Sequence, residues 1–172
     1  MTDIRHPHPL SVLRGHTGEV HAVVFSPAGQ IMATASNDQT IRLWDVSAPD
    51  HPRTRAVLKG HTDGVNAVAF SPDGRSLATA GDDHTARLWD IGRLEHPEPL
   101  AVLSGHTDKV VSVRFGPDGR TLVTGSLGNT ARLWETDPRR AAERICAIAA
   151  PRITQKQWSH YFPDVGYAPP CP

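Results

Sequence analysis

The sequence predicts an all-β fold of three consecutive four-stranded antiparallel sheets, and two observations carry this prediction. The first is a repeat of constant length, because residues of the same type recur every 45 positions, as in His16, His61 and His106 and again in Trp44, Trp89 and Trp134. The second is that each unit contains short apolar runs separated by turns rich in proline, glycine and polar residues. A fixed period of this length is typical of a repeat architecture in which each unit is one small sheet.

Each unit opens with a strand of mainly β-branched residues, "VHAVVF" from Val20, "VNAVAF" from Val65 and "VVSVRF" from Val110. Each run ends at a turn, "SPAGQ", "SPDGR" or "GPDGR", in which the proline presets its own φ and the glycine tolerates a positive φ. This turn predicts a hairpin to a second strand, "IMATAS", "SLATAG" or "TLVTGS", and a polar turn then leads to a third, "TIRLWD", "TARLWD" or "TARLWE". A fourth apolar stretch, "LSVL", "RAVL" or "LAVL", precedes each Gly-His pair.

Four short strands in 45 residues is the stride of a β-propeller blade. We therefore expect residues 1–137 to form three blades, with repeats at about 10–47, 55–92 and 100–136, and residues 138–172 to form a separate tail. Propellers usually close with about 4 to 8 blades, so three blades make only a segment, an incomplete ring. The stretch "LSVL" from Leu10 has no blade of its own, and the third blade has no obvious outer strand.

Gly-His near the start of each unit, Trp-Asp near the end, and an aspartate before the third strand make the chain resemble WD-repeat β-propellers. In that family the histidine, a serine or threonine of the second strand, the aspartate and the tryptophan form a hydrogen-bonded network that ties a blade together. The resemblance implies such a structural network at His16, Thr34, Asp38, Trp44, His61, Thr79, Asp83, Trp89, His106, Thr124 and Trp134. In the third unit Gly128 occupies the aspartate position and Asn129 comes one residue late, so we expect this blade to be the least rigid.

Histidine, hydroxyl and aspartate together also suggest a hydrolase, in which a nucleophile needs a base and the base needs an orienting group. The same trio occurs in two consecutive units beside a tryptophan, and this repetition favours a scaffold without catalytic residues. We expect no cofactor, because no glycine-rich phosphate loop is followed by a lysine. We expect no metal either, because no cysteine or acidic cluster accompanies the histidines of "HPHP" at residues 6–9.

The resemblance also implies where another protein would bind. In WD repeats the narrow face often makes contacts through the residues on either side of the first strand's leading valine and through the residue before the network aspartate. Carried over, these partner-binding positions are Glu19, His21, Asn37, Gly64, Asn66, Asp82, Lys109, Val111 and Leu127. They differ between units while the surrounding framework barely changes.

Composition excludes several other partners. Lysine plus arginine and aspartate plus glutamate are both 18, so no large field of one sign exists to attract nucleic acid or an anionic membrane. The first ten residues lack the apolar core of a secretory signal and no run approaches the length of a membrane span, so we expect a cytoplasmic protein. The two cysteines, Cys146 and Cys171, both lie in the tail, and the sequence leaves open whether they pair.

In the tail, "DPRRAAERICAIAA" has an aspartate cap, a proline at the first helical position and apolar residues at helical spacing, which predicts a short helix. The alternative is that "RICAIA" supplies the missing outer strand. A second helix is predicted at "TQKQWSHYF", whose aromatic face packs either on the last blade or on a partner. The order of residues in this tail resembles the ending of WD-repeat regions in actinobacterial signalling proteins, where the propeller usually follows an ATPase or kinase domain.

The sequence thus predicts a non-catalytic scaffold that presents a surface to another protein or to further propeller blades. We expect it to be part of, or derived from, a longer propeller in a bacterial signalling protein. The alternative is a self-assembling structural unit, a homodimer in which two copies close a six-bladed ring and "LSVL" of one chain completes the third blade of the other.

Overall fold

A computed structural model describes residues 8–137 of the 172-residue chain. The described strands are β1 (Val20–Phe25), β2 (Ile31–Ser36), β3 (Thr40–Asp45), β4 (Arg53–Lys59), β5 (Val65–Phe70), β6 (Ser76–Gly81), β7 (Ala86–Asp90), β8 (Glu98–Leu103), β9 (Val110–Phe115), β10 (Thr121–Ser126) and β11 (Thr130–Glu135). The prediction of an all-β fold is confirmed for this part of the chain. Both predicted helices lie outside the described residues, and no helix able to cross a bilayer occurs among residues 8–137.

The strands form three antiparallel sheets that follow one another along the chain. The first sheet has the order β1-β2-β3-β4, the second β5-β6-β7-β8 and the third β9-β10-β11. The chain divides into two units, Met1–Trp134 and Glu135–Pro172, and the sheets belong to the first unit except for Glu135, the last residue of β11. The first two blades therefore have the expected four strands.

Three strands of the third sheet lie in the described residues, and a fourth strand following β11 would lie outside them. The stretch Leu10–Leu13, which has no blade of its own, forms no strand although the equivalent residues of the later repeats lie in β4 and β8. The reason is physical. An outer strand forms by pairing with the third strand that precedes it, as β4 pairs with β3, and no third strand precedes Leu10 among the described residues.

The hairpin turns follow the chemistry that the sequence indicates. Gly29, Gly74 and Gly119 have φ values of 73°, 71° and 66°, in the left-handed region that glycine adopts without the steric cost of a Cβ. The turns of neighbouring sheets also lie against each other, since a Cβ on Gly74 would be 3.5 Å from Cδ of Pro27. The repeated turn sequence therefore both reverses the chain and sets the spacing of adjacent sheets.

The core lies between the sheets, which pack face to face. We call the face turned toward the following sheet the trailing face, formed in the first sheet by Ala33, Ala35, Ile41, Leu43 and Leu58. The opposite, leading face packs toward the preceding sheet and is formed in the second sheet by Val65, Val68, Leu77 and Trp89. The same arrangement recurs between the second and third sheets, with Ala69, Ala78, Ala80 and Leu88 against Val110, Val113 and Leu122. On each trailing face, the alanines of the second strand thus make room for large side chains of the next sheet.

Each end of this stack leaves apolar side chains in solvent. On the leading face of the first sheet, Val23 is 57% exposed, whereas the equivalent Val68 and Val113 are 5% and 3% exposed. On the trailing face of the third sheet, Leu133 is 75% exposed, whereas the equivalent Leu43 is fully buried. Identical positions in the repeat therefore have opposite environments, depending only on whether a neighbouring sheet covers them.

Candidate functional site

Four side chains in each of the first two repeats form one hydrogen-bonded chain. In the second repeat, Trp89 Nε1 lies 3.0 Å from Thr79 Oγ1, Thr79 Oγ1 lies 2.8 Å from His61 Nε2, and His61 Nδ1 lies 2.9 Å from Asp83 Oδ2. In the first repeat the corresponding distances are 2.9, 2.7 and 2.8 Å, through Trp44, Thr34, His16 and Asp38. The side chains that the resemblance singled out are therefore in direct contact.

The direction of these hydrogen bonds follows from what each group can do. An indole N–H only donates, so the Thr79 oxygen accepts from Trp89, and its own proton is free to donate to His61 Nε2. His61 is then neutral, carries its proton on Nδ1 and donates to the Asp83 carboxylate. Each donor of the chain is satisfied and the chain ends on a charged acceptor, which strengthens the last bond.

The aspartates accept further hydrogen bonds that stabilise the turns between β2 and β3 and between β6 and β7. Asp83 accepts from the backbone of Thr62 and from both the backbone and the hydroxyl of Thr85. Burial would raise the pKa of Asp83, but the hydrogen bond from the Thr85 hydroxyl and the proximity of His61 hold it below its usual value. Burial lowers the pKa of His61, and the opposing effect of Asp83 does not restore it. Asp83 therefore stays ionised and His61 stays neutral, as their hydrogen bond requires.

The third repeat keeps the chain but loses its acidic end. His106 Nε2 lies 2.7 Å from Thr124 Oγ1, and Trp134 Nε1 lies 2.9 Å from the same oxygen. Where the other repeats have an aspartate there is Gly128, and His106 Nδ1 meets the Thr130 hydroxyl at 3.2 Å instead. Burial lowers the pKa of His106, and Arg132 nearby lowers it further. This histidine is neutral and lacks the charge-assisted bond of its counterparts.

The threonine hydroxyls of the network are enclosed by their partners. Thr79 and Thr124 are fully buried, and each hydroxyl is within hydrogen-bond distance of both an indole nitrogen and an imidazole nitrogen. A nucleophile needs space about 3 Å away for a reacting atom, and a closed hydroxyl has none. Among residues 8–137, no group of three or more histidine, cysteine or acidic side chains could hold a metal ion.

An arginine that recurs in each repeat, and that the sequence-based prediction missed, lies against the glycine of each Gly-His pair. A Cβ on Gly15 would lie 2.8 Å from Arg42 Nη1, and a Cβ on Gly60 would lie 3.0 Å from Trp89 Cη2 and 3.1 Å from Arg87 Nη1. In the third repeat, Arg132 Nη2 donates to the carbonyl oxygen of Gly105 at 2.8 Å. The guanidinium groups lie directly on the glycine backbone, so a side chain there would displace them. The signal was present in the sequence as arginine two residues before each repeated tryptophan.

Comparison with known families agrees with this geometry. The family model of the WD domain, G-beta repeat, matches residues 7–45, 52–90 and 97–135, which is most of the chain. The chain belongs to the WD-repeat family. Each match ends on the residue after a network tryptophan, so the repeats of the family coincide with the period of the sequence.

Similarity to curated WD-repeat relatives is confined to short stretches. The chain is 51% identical over 37 residues to Periodic tryptophan protein 2 of Arabidopsis thaliana, which covers 22% of this chain and 4% of that protein. It is 59% identical over 32 residues to human Apoptotic protease-activating factor 1, covering 19% and 3%. It is 43% identical over 49 residues to Target of rapamycin complex subunit LST8 of Saccharomyces cerevisiae, covering 27% and 16%. The matched stretch is a small part of each relative, and it shows the family rather than a shared activity.

The nine positions predicted to bind a partner, which we call the candidate surface, lie beside the network at one end of the sheets. In each repeat, the amide before the aspartate position donates to the carbonyl of the residue before the first strand: Asn37 to Glu19, Asp82 to Gly64, and Leu127 to Lys109. Distances are 2.8, 2.8 and 3.0 Å. Two of the three positions of each repeat are therefore neighbours. Gly64 is buried beneath the side-chain amide of Asn37, and a side chain at position 64 would overlap that amide.

The third position of each repeat lies in a β-bulge. The β1–β2 register passes from Val20 to Ala22 without pairing His21, and the same irregularity leaves Asn66 and Val111 unpaired. A bulge re-aims a side chain out of the regular alternation of a strand. The three repeats thus present three different side chains, imidazole, carboxamide and isopropyl, on the same distorted backbone.

Side chains of the candidate surface are also joined across repeats. His21 Nδ1 donates to Asn66 Oδ1 at 3.2 Å, and Asn66 Nδ2 donates to Asp82 Oδ1 at 2.6 Å and to the carbonyl of Val110 at 3.1 Å. Asp82 in turn forms an ion pair with Lys109 of the third repeat. Burial would raise the pKa of Asp82, but the hydrogen bonds from Lys109 and Asn66 hold it below its usual value. Glu19, Val111 and Leu127 remain exposed beside this connected group.

Proposed function

We propose that this WD-repeat chain is a non-catalytic scaffold that binds another protein through the candidate surface. The observation that carries the proposal is the combination of three equivalent bulges with three different side chains. The backbone is the same in the three repeats while the side chains on it differ, which is the arrangement expected of a surface that recognises a partner.

The cross-repeat contacts support the proposal energetically. His21, Asn66, Asp82 and Lys109 hold one another in place before any partner arrives. Binding to side chains that are already ordered costs less conformational entropy than binding to free ones. Exposed Leu127 and Val111 supply apolar area next to these polar groups, as is usual in a protein-binding surface.

A pair of matched leucines tests the proposal. Leu127 and Leu100 are 57% and 58% exposed, but only Leu127 belongs to the candidate surface. A photo-crosslinking amino acid at position 127 of the full chain should give discrete protein adducts in a lysate of the source organism, and one at position 100 should not. Adding purified unlabelled chain should suppress the adducts, and adding the Lys109→Glu variant should suppress them less. The same adducts from both positions, or equal competition by Lys109→Glu, would show that the candidate surface does not bind the partner.

We further propose that the three repeats belong to, or derive from, a longer propeller in a cytoplasmic bacterial signalling protein. Support for the longer array comes from Val20, Val23 and Phe25, which are 48%, 57% and 58% exposed at positions built like covered ones. Support for the bacterial setting comes only from the resemblance of the residue order in the tail, residues 138–172.

The alternative function is closure of a six-bladed ring by two copies, and the observation in its favour is the stretch Leu10–Leu13, which forms no strand. That stretch is equivalent to the last residues of β4 and would add to β11 of a second copy by strand addition. The mass of the purified full chain in solution decides this alternative. A dimer supports ring closure and a monomer at micromolar concentration excludes it.

A further inference from the structure

The trailing face of the third sheet departs from the other two at specific positions. Five of the positions that form this face in the first three strands are Ala22, Val24, Ala33, Ala35 and Leu43 in the first sheet, and Ala67, Ala69, Ala78, Ala80 and Leu88 in the second. In the third sheet the equivalent residues, 45 positions later, are Ser112, Arg114, Val123, Gly125 and Leu133. Arg114 is the one charged residue among all fifteen.

Arg114 and Val123 are cross-strand partners in the β9–β10 register. They replace the Val24–Ala33 pair of the first sheet and the Ala69–Ala78 pair of the second. The Ala69–Ala78 pair leaves room for the large leading-face side chains of the next sheet, and Phe115 of that sheet packs against the cluster that contains both alanines. The Arg114–Val123 pair fills that room with a long cationic side chain and a branched one.

A second copy of the chain would therefore stack poorly on this face. The face it would bring is the leading face of the first sheet, with Val23 and Phe25. Phe25 is the repeat equivalent of Phe115, which packs against the cluster containing Ala69, and Arg114 is the equivalent of Ala69, so Phe25 of the second copy would face Arg114. Stacking would remove the guanidinium from water without offering an acceptor. It would also overpack the pair that has replaced two alanines.

We propose that Arg114 is a specificity-determining residue of the third sheet's trailing face. It selects a protein partner whose apolar surface carries a carboxylate opposite the guanidinium, and it excludes a second copy of this chain. Two observations indicate the chemistry of this partner. The face is equivalent to the two trailing faces that already pack against a following sheet in the molecule, and it combines the exposed apolar side chains of Leu133 and Val123 with one cation. Within residues 8–137, the exposed guanidinium of Arg114 forms no hydrogen bond or ion pair, so its charge is available. The inference concerns a different surface from the candidate surface and does not rest on the proposed function.

The chain itself provides the probe, because Phe25 and Arg114 are both exposed and their substitution removes no buried contact. Sedimentation velocity of four full-length chains over a wide range of concentration forms a complete cycle: the native chain, Phe25→Glu, Arg114→Ala and the double variant. We expect the native chain to be monomeric. Phe25→Glu should self-associate at least tenfold more tightly, because it supplies the missing carboxylate, and Arg114→Ala should also associate more tightly, because it restores the alanine of the second sheet.

The double variant distinguishes selection by charge from a general change in surface hydrophobicity. With Glu at 25 and Ala at 114, the carboxylate would be buried without a cation, so association should return to the native level or below. Unchanged melting temperatures would establish that all four chains fold alike. The proposal is overturned if the native chain dimerises as tightly as Arg114→Ala, if Phe25→Glu weakens association, or if none of the four chains associates at any concentration.

Discussion

Each network histidine meets a threonine hydroxyl on one ring nitrogen, and the partner of its other ring nitrogen is what distinguishes the repeats. His16 and His61 donate to carboxylates, whereas His106 meets the hydroxyl of Thr130. Hydrogen bonds to charged groups contribute about 1.5 to 3 kcal/mol, roughly twice as much as neutral ones. The third repeat therefore lacks one strong bond at a position where the surrounding geometry is otherwise kept.

Gly128→Asp should restore that bond. The backbone of Gly128 has no positive φ, and the nearest obstacle to a Cβ is the terminal hydroxyl of Thr107 at 2.9 Å, which rotates away at little cost. The new carboxylate would reach His106 Nδ1 and the amide of Thr107, as Asp83 reaches His61 and Thr62. We expect stability to rise by about 1 to 2 kcal/mol, measured by chemical denaturation.

Gly128→Asn is the matched control, because it has the same shape without the charge. The gain from Gly128→Asp should also depend on pH with a definite sign. Hydrogen bonds to Asp38 hold its pKa well below the ordinary value although burial opposes them, and the new carboxylate would share that environment. A carboxyl group whose pKa is lower in the folded state stabilises the fold at pH values above its unfolded-state pKa of about 3.9. That stabilisation is lost as the pH falls below this value toward the folded-state pKa. Equal stability of the two variants at neutral pH would contradict the role assigned to the charge.

At the scale of the element, repeated sequence makes the strands predictable but does not fix their environment. The chemistry of each strand is local, so β1, β2 and β3 could be read from β-branched runs bounded by the proline and glycine turns. What local chemistry could not show is that Leu10–Leu13 forms no strand, since that depends on a partner strand elsewhere in the molecule. The contact of His21 with Asn66 was hidden for the same reason, because it depends on how two sheets 45 residues apart are placed.

Three leucines at the same repeat position of the third strands differ in how much of each side chain is exposed. Leu43, Leu88 and Leu133 are 0%, 7% and 75% exposed. Leu43→Ala should cost about 2 to 5 kcal/mol, as is usual for a buried leucine, whereas Leu133→Ala should change stability by less than about 0.5 kcal/mol. Urea denaturation of both variants measures the difference. A cost of more than about 1 kcal/mol for Leu133→Ala would mean that another surface covers the trailing face of the third sheet in solution.

At the scale of the whole stack, the buried clusters of the described residues join sheets that are neighbours in sequence. The first cluster of buried residues joins the first and second sheets, and a separate cluster joins the second and third. Stability in such a stack is roughly the sum of the stabilities of the units and of their interfaces, as in other repeat proteins. The second sheet is the only one of the three that has a described neighbour on both faces, so the stack should open from its ends.

Val68 and Val113 occupy the same repeat position in the two interfaces and are 5% and 3% exposed. Substituting alanine for either valine should weaken its interface by about 2 kcal/mol. Hydrogen exchange should then accelerate by roughly thirtyfold, but in different places. Val68→Ala should release the first sheet, β1 to β4, and leave β9 to β11 protected, whereas Val113→Ala should release β9 to β11 and leave the first sheet protected. Each variant is the control for the other. If both accelerate exchange equally in all three sheets, the stack unfolds as one unit, and the second sheet does not act as the fixed centre on which its neighbours depend.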